Sequence, residues 1–251
     1  MDLKFNNISL KEKNKYLIKD LNLDISSKNI TGVINDKNNV IKKILVDKLE
    51  IEGEVNLKDK VVSYINKRDF LTKTVSDEFY LIKNKVQDKE NYIEKILLSL
   101  EMVGITDNYL DRCINTLSRT EKILVSIALA LIINPDIIIF DGIFKNLDRK
   151  NKLTIKKIIL ELKRKYNKTI ILIDDINILY EVCNSYIIFK DDYLLISGNR
   201  ENVFNVELLR ENNIELPFFI EFSNEAKEFN KDIKYYQDIN DLLKGVYKNA
   251  R

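Results

Sequence analysis

Asn115–Asp148 reads NTLSRTEKILVSIALALIINPDIIIFDGIFKNLD. Leu117 and Ser118 open an apolar stretch of helical character that continues to about Ile133, and Asn134-Pro135 stops it. Ile137-Ile138-Ile139-Phe140 follows as an uninterrupted apolar run closed by Asp141. A run of that kind is expected to be a parallel strand buried on both faces, with a carboxylate at its C-terminal edge. Open α/β sheets bind ligands at that edge. The stretch therefore predicts an α/β fold with a mixed sheet and places the candidate site beside Asp141.

Composition narrows the possibilities. Of 251 residues, 45% are hydrophobic and 32% charged, the balance of a soluble protein able to bury one sizeable core. No apolar run is long enough to span a bilayer, and Asp2, Lys4, Asn6 and Asn7 interrupt any signal-peptide pattern, so a cytosolic placement is expected. Two cysteines, Cys113 and Cys183, make neither a disulfide framework nor a metal pattern, and the absence of histidine excludes His-based catalysis. Lys plus Arg total 41 against 39 Asp plus Glu, with the signs interspersed, so no nucleic-acid-binding stripe is expected. Glycine is scarce, at 6 residues, which weakens any loop that depends on it.

Outward from the opening stretch, Leu3–Leu10, Tyr16–Ile25, Ile30–Ile34 and Val61–Ile65 read as strands, and Gly53–Lys60 as a hairpin. Asn35–Asn39 is a polar loop, and Val40–Leu49 has helical spacing. Asn91–Val103 reads as an amphipathic helix with Ile93, Ile96, Leu97, Leu100 and Val103 inward and Gly104 as its cap. Asp148–Tyr166 is a lysine-rich helix. Thr169–Ile173 is a strand with a helix after it to Val182, and Tyr186–Phe189 and Tyr193–Ile196 form a hairpin. Gly198 is expected to end the core, followed by a tail of three short helices separated near Pro217 and Tyr235.

Helix, turn, buried strand, Asp141, then Leu147-Asp148 resembles the signature helix, Walker B strand and D-loop of an ABC-type ATPase, and the element order matches such a domain from end to end. The tail, with Asn202-Val203-Phe204, Glu207-Leu208-Leu209, Ile214, Leu216-Pro217-Phe218 and Ile239-Asn240-Asp241-Leu242-Leu243, resembles the C-terminal extension of energy-coupling factor (ECF, cobalt-type) ATP-binding subunits. The resemblance implies a P-loop-type nucleotide-binding domain over residues 1–200, with a helical subdomain at about 70–117, and a helical extension over 201–251.

It also implies a set of site residues, and most depart from the family pattern. The P-loop G-x-x-x-x-G-K-[ST] uses backbone N–H groups and a lysine to hold phosphates. Here the aligned segment is Asn35-Asp36-Lys37-Asn38-Asn39-Val40-Ile41-Lys42-Lys43. Asn35 and Asn38 stand at glycine positions, where Asn best tolerates left-handed backbone. Val40 replaces the glycine before the lysine, a poor residue for positive φ. Ile41 replaces the lysine and Lys42 the Mg²⁺-binding hydroxyl. Asn66 falls near the γ-phosphate-sensing Gln and reads equally as a polar loop residue. Ser118-Arg119-Thr120-Glu121 replaces S-G-G-Q, and the same residues make a helix capping box, the favoured reading. Asp141 matches the carboxylate that orients Mg²⁺, but Gly142 stands at the position of the water-polarising Glu. Asp148 matches the D-loop and equally an N-cap. Asp175 replaces the His that donates a hydrogen bond to the γ-phosphate, and an ionised carboxylate cannot donate.

The expectation is therefore a degenerate ECF-type ATP-binding subunit that takes up no catalytic role of its own. Its implied cofactors are ATP and Mg²⁺, bound weakly. Its implied partners are a second ABC subunit and a transmembrane coupling subunit, docked through Asn66–Tyr80 at the cytoplasmic face of the membrane, in a complex that imports a vitamin or metal ion. Two alternatives are a working ATPase that uses Lys42 or Lys43 in a shifted loop with Asp174 or Asp175 as substitute carboxylate, and a soluble scaffold that kept the fold.

Overall fold

The computed structural model of the chain describes residues 2–67, 70–86, 90–229, 241 and 244–245. Its strands are β1 (Leu3–Glu12), β2 (Lys15–Ile25), β3 (Ile30–Ile34), β4 (Glu52–Val55), β5 (Val62–Ile65), β6 (Ile137–Asp141), β7 (Thr169–Ile173), β8 (Ser185–Lys190) and β9 (Tyr193–Gly198). They form a six-stranded sheet in the order β5-β6-β7-β3-β8-β9 and a three-stranded sheet in the order β2-β1-β4. In the larger sheet every neighbouring pair is parallel except β8 and β9. The C-terminal ends of β3, β5, β6 and β7 thus share one edge, and the loops that start at Asn35, Asn66, Gly142 and Asp174 gather there. Both faces are covered, which is why β3, β6 and β7 are apolar along nearly their whole length.

The helices are α1 (Val40–Leu45), α2 (Val75–Ile82), α3 (Tyr92–Met102), α4 (Arg119–Leu131), α5 (Arg149–Tyr166), α6 (Ile176–Val182), α7 (Arg200–Val203), α8 (Val206–Glu211) and α9 (Phe218–Phe229). Most of α4 is buried from Leu124 to Leu131, as a stretch that is apolar but for Ser126 requires. It ends where Asn134 adopts a left-handed conformation (φ 49°), one residue before proline. On α3, Gly104 (φ 75°) closes the C-terminus, with the N–H of Gly104 on the Glu101 carbonyl and that of Ile105 on the Leu100 carbonyl.

Four expectations need correction. The segment Gly53–Lys60 is not a hairpin: β4 pairs antiparallel with β1, while β5 pairs with β6 in the other sheet. Helix α1 ends at Leu45 rather than Leu49, because the chain turns at Lys48 (φ 49°). On α3, Ile93 is 70% exposed and Leu97 40%; the buried side holds Tyr92, Ile96, Ser99 and Leu100 instead. Nor does apolar packing stop at Gly198. Val203, Phe204, Leu209, Ile214, Leu216, Phe219 and Ile220 are buried in the same core as β6 and α4. Phe204 packs edge-on against Tyr180 and Tyr186, with ring centroids 5.2 Å and 4.7 Å away. Tyr235 and the Ile239-to-Leu243 pattern lie outside the described residues, apart from Asp241.

Candidate functional site

The loop after β3 sets the site. Asn35 (φ 61°) and Asn39 (φ 52°) carry its left-handed turns, residues able to do so because a short polar side chain tolerates that region. Val40 is spared, contrary to the sequence reading: it is the first residue of α1, and the left-handed position lies one residue earlier, at Asn39 rather than at Asn38 or Val40. The loop's side chains bind backbone elsewhere. Asn35 Nδ2 donates to the Phe189 carbonyl at 2.8 Å, and Asn38 Nδ2 to the Leu17 and Asp191 carbonyls at 3.0 Å each.

Asn39 makes no side-chain cap for α1. Asp36 makes it instead. Its Oδ1 accepts from the Val40 N–H at 2.7 Å and its Oδ2 from the Ile41 N–H at 3.0 Å. Burial pushes the Asp36 carboxyl above its ordinary value, the two N–H groups pull it down, and nearby Asp141 pushes it up again. Ile41 is fully buried, in the core that includes Val33, Ile44, Ile139 and Ile171.

The two lysines that a shifted loop would need are committed elsewhere. Lys42 Nζ pairs with Asp47 at 2.9 Å and Lys43 Nζ with Glu12 at 2.9 Å. Lys43 still acts electrostatically on Asp36 in the Asn35–Asn39 turn, lowering its carboxyl.

At the end of β6, Asp141 accepts a hydrogen bond from the Tyr64 hydroxyl. Burial, and then that carboxylate, push the Tyr64 phenol above its ordinary value. Gly142 (φ 63°) donates its N–H to the Ile173 carbonyl at 2.8 Å. A Cβ there would meet nothing within 4 Å, so backbone conformation rather than crowding disfavours a carboxylate-bearing residue. A cavity of about 540 Å³ brings Asp141, Gly142, Asp174 and Asp175 together with Lys145 and Lys152. A second, of about 380 Å³, brings Asn66 and Gly142 together with Arg119 and Lys122 of α4. A third, of about 420 Å³, joins Asn35 and Lys37 to Asp174 and Asp175.

The remaining candidates bind backbone N–H groups, most of them as helix caps. Asp174 Oδ2 accepts from the Phe144 N–H at 3.0 Å, and burial raises its carboxyl above the ordinary value. Asp175 caps α6 through the Asn177 N–H at 2.9 Å. Asp148 caps α5 through the Asn151 N–H at 2.9 Å. Ser118 and Glu121 form the anticipated capping box on α4, at 3.3 Å from the Glu121 N–H to Ser118 Oγ and 2.7 Å from the Ser118 N–H to Glu121 Oε2. Glu121 Oε1 also accepts from Arg112 Nη1 and Tyr109 Oη, each at 2.7 Å. Together these hold its carboxyl at about 2, with Arg112 the largest cause. Thr120 is half-buried in the same first turn of α4.

Sequence reasoning missed Asp36, Tyr64 and the Tyr109–Arg112 pair. An Asp four residues before the first helical N–H it caps is a weak signal that was there to be read. Nothing in spacing joins Tyr64 to Asp141, because they meet only when β5 lies beside β6.

The residues at the loop depart from the family's pattern for a nucleotide with Mg²⁺. The Val40 and Ile41 N–H groups bind the Asp36 carboxylate, the lysine position is core, and Asp141 accepts from the Tyr64 phenol. Among the described residues no group of three or more His, Cys, Asp or Glu residues could hold a metal ion, and no helix is long and apolar enough to cross a membrane.

The family model described as ABC transporter matches residues 19–145, from within β2 past the end of β6. The energy-coupling factor transporter ATP-binding protein EcfA of Malacoplasma penetrans is 27% identical, over 92% of this chain and 88% of its own length. EcfA1 of Mycoplasma mobile is 32% identical over 67% of this chain and 61% of its own. Among solved structures, cbiO1 from Clostridium perfringens, described as part of the ABC transporter complex cbiONQ, superposes with a TM-score of 0.72 at 19% identity, covering 84% of this chain and 94% of that one. A dimeric bacterial ABC transporter cassette superposes with a TM-score of 0.64 at 20% identity, covering 78% and 98%. At those identities the superpositions speak to the fold.

Proposed function

The chain belongs to the ABC transporter family, and on that footing we propose that it is the ATP-binding-type subunit of an ECF-type transporter that contributes little or no ATP hydrolysis of its own. In this reading it pairs with a second ABC subunit and docks, peripherally and at the cytoplasmic face, on a transmembrane coupling subunit for micronutrient uptake. The similarity to EcfA over 92% of the chain supports the transporter class.

One observation carries the degenerate part of the reading: the position after Asp141 is Gly142, in a left-handed conformation and without a carboxylate. Phosphoryl transfer by proteins of this kind relies on positioning and electrostatics, and the group that would polarise the attacking water is missing. Ile41 and Asp175 remove a cation and a donor from the same half-site. The engagement of neighbouring groups supports this reading: Lys42 and Lys43 are ion-paired, Asp174 accepts from the Phe144 N–H and Asp175 caps α6. The role left to the chain is architectural: a surface for its ABC partner and a lever on the membrane subunit.

The test is ATP turnover by the reconstituted complex. Asp141→Asn in this chain leaves turnover nearly unchanged, whereas replacing the partner's Walker B carboxylate lowers it on the order of 10²-fold or more. A loss of that size from Asp141→Asn, with assembly intact, overturns the proposal. Failure to co-purify with any membrane subunit would favour a soluble scaffold.

A further inference from the structure

We infer that Asp36 is an internal stand-in for phosphate: its carboxylate fills the backbone N–H cradle of the loop and keeps the nucleotide position closed to anions. The inference concerns anion binding rather than turnover, so it can fail while the proposed function stands, and the reverse.

Three sets of contacts carry it. First, the two carboxylate oxygens divide between two successive N–H groups, Val40 at 2.7 Å and Ile41 at 3.0 Å. In a P-loop, backbone N–H groups of this turn take the phosphate oxygens. Hydrogen bonds to an ionised acceptor are among the stronger ones. A ligand tethered four residues away also competes at a high effective concentration.

Second, the loop is satisfied from within. The Lys37 N–H binds the Asn35 carbonyl at 2.9 Å and the Asn39 N–H binds the Asp36 carbonyl at 3.0 Å. Asn35 and Asn38 bond to Phe189, Leu17 and Asp191. The turns of the loop are thus held by its own hydrogen bonds.

Third, carboxylates crowd the position an incoming anion would take. Lys42 and Lys43 are paired with Asp47 and Glu12, and the cations that remain in reach are Lys43, which still acts on Asp36, and Lys37 in the loop cavity. Asp141 lies near enough to Asp36 to act on it electrostatically, and Asp174 and Asp175 share a cavity with the loop. An arriving phosphate must displace one carboxylate and then face three more, without a free lysine on the first turn of α1.

The experiment compares the full-length subunit with its Asp36→Ala and Asp36→Asn variants. Melting temperatures are read in pyrophosphate and in chloride of matched ionic strength. The parent melts at the same temperature in both. Loss of a helix cap lowers the melting temperature of Asp36→Ala by about 2–4 °C. Pyrophosphate at ~10 mM then raises it by about 3 °C, through binding to the freed N–H groups. Asp36→Asn keeps an acceptor but loses the charge, so its melting temperature and its response fall between the two. If Asp36→Ala does not fold, Asp36→Asn against the parent carries the same comparison. Three results overturn the inference: pyrophosphate stabilising the parent as much as the variants, the variants melting with the parent, or destabilised variants responding to pyrophosphate no more than the parent does.

Discussion

Restoring the lysine of the phosphate-binding motif will not restore the site; it will damage the fold. Ile41 stands at the lysine position and is 0% exposed, inside the apolar core that joins α1 to β3, β6 and β7. Ile41→Lys forfeits the burial of one isoleucine, about 1.5–3 kcal/mol. It also forces an ammonium either to lose its charge or to pull its stem toward solvent. The expected loss is therefore about 4 kcal/mol. In a chain of this size, that corresponds to a fall in melting temperature of ~8–16 °C. Ile41→Val, which removes one methyl group, is the control and costs about 1 kcal/mol. Calorimetric unfolding gives both numbers, and ATP titration of whatever remains folded shows no binding. If Ile41→Lys melts within a degree or two of the parent and binds ATP, then position 41 faces the phosphates, and the assignment of this residue to the core is refuted.

Other outcomes follow from the same contacts. Glu121 has its carboxyl lowered from an ordinary 4.5 to about 2, so the stability it supplies is complete above pH ~4.5 and is lost as the pH falls toward 2. Glu121→Gln therefore costs about 1 kcal/mol at neutral pH, given a site open to solvent screening. The gap in melting temperature between parent and variant narrows below pH ~4.5; a gap constant with pH counts against the pairing with Arg112. Phe204→Ala removes a ring packed on Tyr180 and Tyr186 and costs about 3–5 kcal/mol by denaturant unfolding. A cost below ~1 kcal/mol, typical of surface positions, would show the segment after Gly198 to be loosely attached.

What could be read in the sequence was whatever depended on neighbours along the chain. Ile137–Phe140 had to be a doubly covered strand because no polar residue interrupts it, and Ser118 with Glu121 had to cap α4 because the box closes within one turn. The failures involve partners distant in sequence. The segment Gly53–Lys60 looked like a hairpin, but the ladder partner of its strand is β1, some fifty residues earlier. Ile93 and Leu97 fit an inward stripe as well as Tyr92 and Ser99 do, and only packing against α4 and the rest of the core chooses between them. At the site, the missing Gly142 carboxylate and the changed residues at 41 and 175 were visible as substitutions. What took their place was not: Asp36 on the Val40 and Ile41 N–H groups, Tyr64 on Asp141, and the ion pairs of Lys42 and Lys43 all required the fold.

The asparagines at positive φ have a thermodynamic consequence. Asn7, Asn14, Asn35, Asn39, Asn134, Asn146, Asn167 and Asn213 all occupy the left-handed region, in a chain with 6 glycines. Holding a residue with a Cβ there strains the native backbone by roughly 1–2 kcal/mol, least for Asn. Glycine would relieve that strain but give the unfolded chain more conformations, an opposing effect of about 0.4–1 kcal/mol. The two nearly cancel. Folding is thus almost indifferent to whether Asn or Gly stands at position 39, whereas Asn35 is kept by its bond to the Phe189 carbonyl. Stability exerts no pull toward glycine in this loop. Only the close approach of a phosphate to its backbone would, and in this chain that place is held by a side chain of its own.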